Sequence, residues 1–303
     1  MNKVKGIIPP LVTPILDRDA LDVDGLSRLL EHVLEGGVHG VFALGTTGEA
    51  PSLSYRMRCE VIRRVCGQVA GRVPVFVGVT DTSFVESIDL AKVAANCGAD
   101  VVVLAMPFYY PAGQSELVHY IKSIVPQLPL PVILYNMPAM TKVTLEVDTL
   151  KQLAGLDRIL GIKDSSGDLN YLADLQILRS LRPDWSIHTG PEHLLIKSVL
   201  AGADGGVNGG ANIFPELFVD AYEAAVEGDD GRMEALQLRI DQLQGIYDVG
   251  QNVSRFIKGT KCALSVLGVC NDFMAEPFER FRTNERKQIQ RIISEHQQLS
   301  ASH

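Results

Sequence analysis

The chain has 303 residues, a formal net charge of −8, and side chains that are 46% hydrophobic and 21% charged. That composition supports a large globular core. The acidic balance excludes a sequence-independent nucleic-acid binder, which needs clustered Lys and Arg, and no apolar run reaches the ~20 residues that span a bilayer.

The start, Met1-Asn2-Lys3-Val4-Lys5 followed by apolar residues, has the faint outline of a signal peptide. Pro9, Pro10 and Pro14 interrupt it, and no small-residue cleavage site follows, so it reads as a first buried strand. Short β-branched runs then recur at 6–13, 39–44, 74–79, 101–105, 131–136, 159–164, 186–190 and 204–208. Each is nearly continuous in apolar residues, as a parallel strand buried on both faces must be. Helix-period segments lie between them, at 24–35, 55–70, 84–97, 115–125, 145–154, 169–181, 192–201 and 215–227. In the first, Leu26, Leu29, Leu30 and Val33 share a face, and Gly36-Gly37 ends it. Gly98-Ala99-Asp100 and Gly202-Ala203-Asp204 repeat one stop-and-re-enter pattern.

Eight strands alternating with helices over about 225 residues predict an α/β fold of the (β/α)8 TIM-barrel type. A doubly wound sheet would more typically carry five or six strands, and no GxGxxG follows the first strand. The strand beat stops near 230. Segments 231–249, 254–268 and 279–298 read as helices, with Gly259 as a weak point and a frayed end from Gln297 to His303. The expected division is a barrel over 1–229 and a helical extension over 230–303 that packs on it. The five cysteines form no CxxC pair and read as small hydrophobes in a reducing cytoplasm.

In a barrel of this kind the chemistry sits at strand C-termini. Lys163 lies near the end of an otherwise apolar strand, Ile159 to Asp164. Burial there disfavours the ammonium and favours a nucleophilic amine; the alternative is a lysine paired with Asp164 or with a neighbouring carboxylate. Tyr135 ends the adjacent strand and is either a proton relay or a packing tyrosine. Gly45-Thr46-Thr47-Gly48-Glu49 offers hydroxyls and backbone N–H groups suited to a small carboxylate, or is an ordinary turn with a helix cap. Pro107-Phe108-Tyr109-Tyr110-Pro111 lines a pocket or an interface. Gly205, Gly206, Gly209 and Gly210 mark a close backbone approach. The scattered histidines, His188 and His193 included, give no metal-binding spacing, and there is no GxSxG.

Taken in one register, GTTGE, PFYYP, YNMP and GIKDSSGD resemble the family of dihydrodipicolinate synthase and N-acetylneuraminate lyase over about residues 5 to 300. The resemblance implies a TIM barrel with a C-terminal helical extension, a homotetramer, and a lysine Schiff base with pyruvate or another 2-oxo acid. It implies no metal or organic cofactor. It makes Lys163 the imine-forming lysine and Tyr135 the proton shuttle. Thr46 and Thr47 become the carboxylate-binding pair, with Thr46 also in the relay. Tyr109 matches the tyrosine that enters a neighbouring subunit's site.

The second half of the expected site departs from both named activities. Where the synthase has an arginine after its YNxP motif, this chain reads Ala139-Met140-Thr141. A methionine supplies no guanidinium fork. Where the lyase has an Asp-Glu pair after strand seven, Gly190-Pro191 is followed by Glu192 and His193; its threonine and serine are replaced by Ser165 and Gly209. Altered polar contacts of this kind redirect specificity. The expected function is a class I aldolase or lyase joining or cleaving pyruvate and an aldehyde. Its substrate is expected to be a 2-oxo-3-deoxy sugar acid, such as 2-keto-3-deoxygluconate, or another 4-hydroxy-2-oxo acid. The alternatives are a sugar-acid dehydratase, N-acetylneuraminate lyase, a synthase with Arg255 as substitute cation, and a silent 2-oxo acid binder.

Overall fold

The structure is a computed structural model and describes residues 3–300. Met1, Asn2 and Ala301 to His303 lie outside them. Eight parallel strands form one sheet in ring order: β1 (Gly6–Ile7), β2 (Val41–Ala43), β3 (Val75–Gly78), β4 (Val101–Ala105), β5 (Val132–Asn136), β6 (Ile159–Asp164), β7 (Ser186–Thr189) and β8 (Gly205–Gly206). β8 pairs with β1. A parallel bridge between Pro10 and Phe42 joins the end of the first strand to β2 and closes the ring. Two hydrogen bonds hold that seam: Leu11 N–H donates to Phe42 O at 2.8 Å, and Phe42 N–H to Pro9 O at 3.0 Å.

The apolar runs explain the architecture. In β4, Val101, Val103 and Ala105 point into the barrel, where they meet Ile8, Phe42, Phe76, Ile133 and Val207. Val102 and Leu104 point outward to the helices. A strand buried on both faces needs a continuous run rather than alternation. The helix Val23–Glu35 buries the expected Leu26, Leu29, Leu30 and Val33, each contributing about 1.5–3 kcal/mol by burial. Asp22, Ser54, Ser83, Asp168 and Asp229 cap helix N-termini with side-chain acceptors. The repeated glycine stops take left-handed backbone, with φ +76 at Gly37, +86 at Gly98 and +97 at Gly202.

Several expected boundaries shift. The strands expected over 6–13 and 204–208 have only two ladder residues each, because β1 and β8 meet through glycines: a Cβ on Gly205 would lie 2.0 Å from Gly6 O. A hairpin of Ile15–Asp17 with Ala20–Leu21 was not expected. The segment expected as one helix over 231–249 is Asp230–Leu243 followed by a short turn of helix at Gly245–Asp248. Gly259 is no weak point. The helix Arg255–Val266 runs through it, and a Cβ there would lie 2.8 Å from Ile246 O, so glycine permits the close approach. The final helix, Thr283–Ser300, includes Gln297 to Ser300 of the segment expected to fray, and the rest of that segment lies outside the described residues.

The C-terminal helices are tied to the mouth of the barrel. Lys261, wholly buried, forms an ion pair with Glu49 and donates to Phe273 O at 2.6 Å. Ala275 N–H donates to Glu49 Oε2 at 2.8 Å. Asn271 Nδ2 donates to Asp22 Oδ2 at 2.6 Å. These contacts bring residues 244–260 over the strand ends where the site lies.

Candidate active site

The inner wall of the barrel places three titratable side chains side by side. Tyr135 on β5 pairs in register with Lys163 on β6, which pairs with His188 on β7. Partners in a parallel ladder point to the same face, so all three face inward. Lys163 is 5% exposed. Its Nζ lies 4.1 Å from the centre of the Tyr135 ring and 5.2 Å from that of Phe42. Aromatic faces attract an ammonium.

Asp164 faces the other way. Its carboxylate accepts from Asn136 Nδ2 at 2.7 Å, Ser166 Oγ at 2.8 Å and Ser166 N–H at 3.1 Å. This removes the alternative in which Asp164 neutralises Lys163. Burial pushes the Asp164 carboxyl above its ordinary value despite these donors. Its work is to fix the loop after β6.

Tyr135 is 6% exposed. Burial opposes ionisation of its phenol. The Lys163 ammonium, with hydrogen bonds from Ser165, Thr46 and Lys163, outweighs that and holds the phenol below its ordinary value. The phenol oxygen thus has Lys163, Ser165 and Thr46 as its polar neighbours. His188 is 2% exposed, and its Nε2 has no hydrogen-bond partner among the described residues. Burial, reinforced by nearby Lys163 and opposed by Asp204, lowers its pKa to about 4. Lys163 and His188 border a void of about 20 Å³ inside the barrel.

The 45–49 turn is held under tension. Leu44 and Glu49 take left-handed backbone at φ 60 and 57. Strain of this kind persists only where the surroundings impose it. Here Leu44 O packs so near β3 that a Cβ on Gly78 would lie 2.1 Å from it, and Thr13 Oγ1 donates to Gly48 O at 2.7 Å. Buried Lys261 fixes the Glu49 end. The N–H groups of Thr46 and Thr47 meet no acceptor among the described residues. Two adjacent free N–H groups with two hydroxyls form an anion-binding concavity.

A cavity of about 370 Å³ opens above these groups. Thr46, Thr47, Tyr135, Lys163, Ser165, Gly190, Glu192, His193 and Gly209 all line it. Gly190 is needed for the close approach of β7, since a Cβ there would lie 2.0 Å from Ser165 Oγ. Tyr109 is not among the lining residues. It is 74% exposed and packs edge-on against Tyr110 at 4.9 Å. Its neighbour Phe108 lines an adjoining apolar cavity of about 230 Å³ that shares Thr46 and Tyr135.

Glu192, expected among the substrate-binding residues, has both oxygens engaged by the protein. It accepts from Gly210 N–H at 2.6 Å and Gln244 Nε2 at 2.7 Å, and it hydrogen-bonds Tyr247. Burial raises its pKa despite those contacts. Its carboxyl buttresses β7, β8 and the C-terminal helices together. His193 is exposed at the rim. Arg255, the expected substitute cation, does not line the cavity; its guanidinium lies 5.5 Å over the Phe256 ring. Sequence reading missed the wall contributed by Tyr247, Val253, Phe256 and Ile257. It also missed the Glu49–Lys261 pair. The only signal for that pair was a lysine set among small apolar residues, Lys261-Cys262-Ala263-Leu264.

Among the described residues no group of three or more His, Cys, Asp or Glu side chains is placed to hold a metal ion. None of the helices there is long and apolar enough to cross a membrane.

The model of the dihydrodipicolinate synthetase family matches residues 3–296. The chain belongs to that family. Membership makes it a lyase of the pyruvate-dependent aldolase type. An uncharacterised DapA-like lyase from Halobacterium salinarum is 33% identical over 290 residues, 96% of this chain and 93% of that one. The 4-hydroxy-tetrahydrodipicolinate synthase of Pseudomonas syringae is 34% identical over 249 residues, covering 82% and 85%. Among solved structures, dihydrodipicolinate synthase from Bacteroides thetaiotaomicron superposes with a TM-score of 0.94 at 49% identity, covering 97% and 99%. A prophage protein of the same family from E. coli K12, in complex with pyruvate, gives 0.90 at 26% identity, covering 97% and 98%.

Proposed function

We propose that this protein is a Schiff-base aldolase that forms or cleaves the carbon–carbon bond between pyruvate and an aldehyde through Lys163. The observation that carries the reading is the placement of Lys163 Nζ against Tyr135 at the floor of a cavity beside two free backbone N–H groups. In the cleavage direction the Lys163 amine adds to the C2 carbonyl of a 4-hydroxy-2-oxo acid. The carbinolamine loses water to give an iminium, whose nitrogen withdraws electrons from C3. Tyr135 takes the proton of the 4-hydroxyl group, the C3–C4 bond breaks, and the aldehyde leaves. The enamine takes a proton at C3, and water then releases pyruvate and the free amine. Thr46 and Thr47 hold the carboxylate throughout, and Thr46 also bonds the phenol that moves the protons.

A 4-hydroxy-2-oxo acid is the substrate class, with a 2-oxo-3-deoxy sugar acid as one member. The synthase named for many relatives is the less favoured alternative, because Met140 stands at the arginine position and Arg255 is not at the cavity. The Tyr135 cluster favours turnover over silent binding. We also assign a homotetramer in which the exposed Tyr109–Tyr110 pair meets a neighbour, and a cytoplasmic location, which five free cysteines suit. The test is pyruvate release from 4-hydroxy-2-oxo acids, followed with lactate dehydrogenase. Activity is expected in the native protein and its loss in Lys163→Met. Undiminished activity in the variant would remove Lys163 from the mechanism.

A further inference from the structure

The half of the cavity that takes the aldehyde has a composition of its own. Its walls are Met137 and Met140 on one side and Tyr247, Val253, Phe256 and Ile257 on the other. Val253 is 66% exposed and Phe256 49% exposed, although both border a cavity. The Phe256 ring sits 5.2 Å from that of Tyr247. Exposed apolar surface gathered at the mouth of a cavity marks a place where a ligand is to be covered.

The charge inventory points the same way. Lys163 is the one Lys or Arg among the lining residues, and the imine consumes its nitrogen. A second carboxylate or a phosphate on the aldehyde would be desolvated without a counterion. Apart from His193 at the rim, several of the polar groups nearby are engaged with one another. Glu192 is held by Gly210, Gln244 and Tyr247. Thr260 Oγ1 donates to Phe256 O at 2.8 Å, and Ser166 Oγ to Asp164 at 2.8 Å. A polyhydroxylated chain would therefore lie against mostly apolar wall and find few free donors there, so its hydroxyl groups would gain little from binding.

Building on the Schiff-base reading, we propose that the aldehyde partner is uncharged and carries an apolar, ring-sized substituent, packed between Met140 and Phe256. This sets the sugar-acid member of the class aside. With benzaldehyde as probe, C3 of the enamine bonds to the aldehyde carbon and the carbonyl oxygen takes a proton. Hydrolysis of the imine then gives a 4-hydroxy-2-oxo acid bearing a phenyl group on C4.

The test compares benzaldehyde, glyceraldehyde and succinic semialdehyde as acceptors for pyruvate, with kcat/KM read by chromatography of the products. Borohydride trapping of pyruvate on the same protein sample runs in parallel. Benzaldehyde is expected to exceed each of the others by at least about 10-fold, and Phe256→Ala to reduce the benzaldehyde-to-glyceraldehyde ratio by about 10-fold. Adduct formation with glyceraldehyde or succinic semialdehyde preferred, or with no aldehyde consumed, overturns the proposal and leaves the imine reading standing. A ratio unmoved by Phe256→Ala overturns it also. Absence of any adduct defeats the imine reading, and this proposal with it.

Discussion

Replacing Lys261 with methionine tests how the C-terminal helices hold the 45–49 turn. Methionine keeps the unbranched stem of the side chain to the Cε position and removes the ammonium. In the native protein that ammonium is wholly buried, pairs with Glu49 and donates to Phe273 O at 2.6 Å. The variant leaves the Glu49 carboxylate buried with the Ala275 N–H as its remaining donor, and it leaves the Phe273 carbonyl without that donor. Breaking a buried pair by removing one partner costs about 3–5 kcal/mol. A carbonyl stripped of its donor adds about 1 kcal/mol or more. The expected loss is on the order of 4–6 kcal/mol. With a urea slope of about 3 kcal/mol/M, the denaturation midpoint should fall by more than about 1 M. Trp185, the single tryptophan and fully buried, reports the transition by fluorescence. Glu49→Gln combined with Lys261→Met removes both charges and should recover at least half of the loss. A midpoint shift below about 0.3 M in the single variant, or a double variant less stable than the single, would refute this account of the pair.

Tyr135→Phe keeps the ring against Lys163 and removes the relay hydroxyl; kcat for aldehyde release should fall about 10²–10⁴-fold, and an unchanged kcat would take Tyr135 out of the proton path. Thr47→Val should raise the pyruvate concentration that half-saturates imine formation by about 10-fold, the size of one charge-assisted hydrogen bond, whereas an unchanged value would place the carboxylate elsewhere. His188 is neutral in the folded protein down to about pH 4, against an ordinary value of 6.5. As pH falls below 6.5 the unfolded chain takes up a proton that the folded chain refuses, so stability is lost between about pH 6.5 and pH 4. Between pH 7 and pH 5 this amounts to about 2 kcal/mol. His188→Leu should lack that part of the slope in paired urea titrations, and an identical slope in the variant would show that His188 is not its source.

Much of the molecule was written in local sequence pattern, and the rest was not local. The barrel was legible because a strand buried on both faces has to be apolar throughout, as Val101 to Ala105 is. Lys163 stood out for the same reason: a charge inside such a run needs a cause. The ends of the fold were less legible. β1 and β8 shrink to two ladder residues where Gly6 and Gly205 bring backbones together, and glycine says little about pairing length. Lys261 was hidden because a lysine in a helix reads as solvent-exposed, and its partner Glu49 lies at the far end of the chain. Glu192 was recognised as a cavity residue but not as an occupied one, since Gln244 and Tyr247 arrive from a helix with no pattern linking it to β7. Tyr109 is exposed and lies outside the cavity lining, a placement that its aromatic motif alone does not encode.

The central claim is that Lys163 forms the imine. Pyruvate with borohydride, followed by peptide mass spectrometry, tests it most directly. The account predicts one reduced pyruvyl group per chain, carried on the peptide that contains Lys163, and none in Lys163→Met. A folded protein that gains no adduct, or gains it on another lysine, would contradict it.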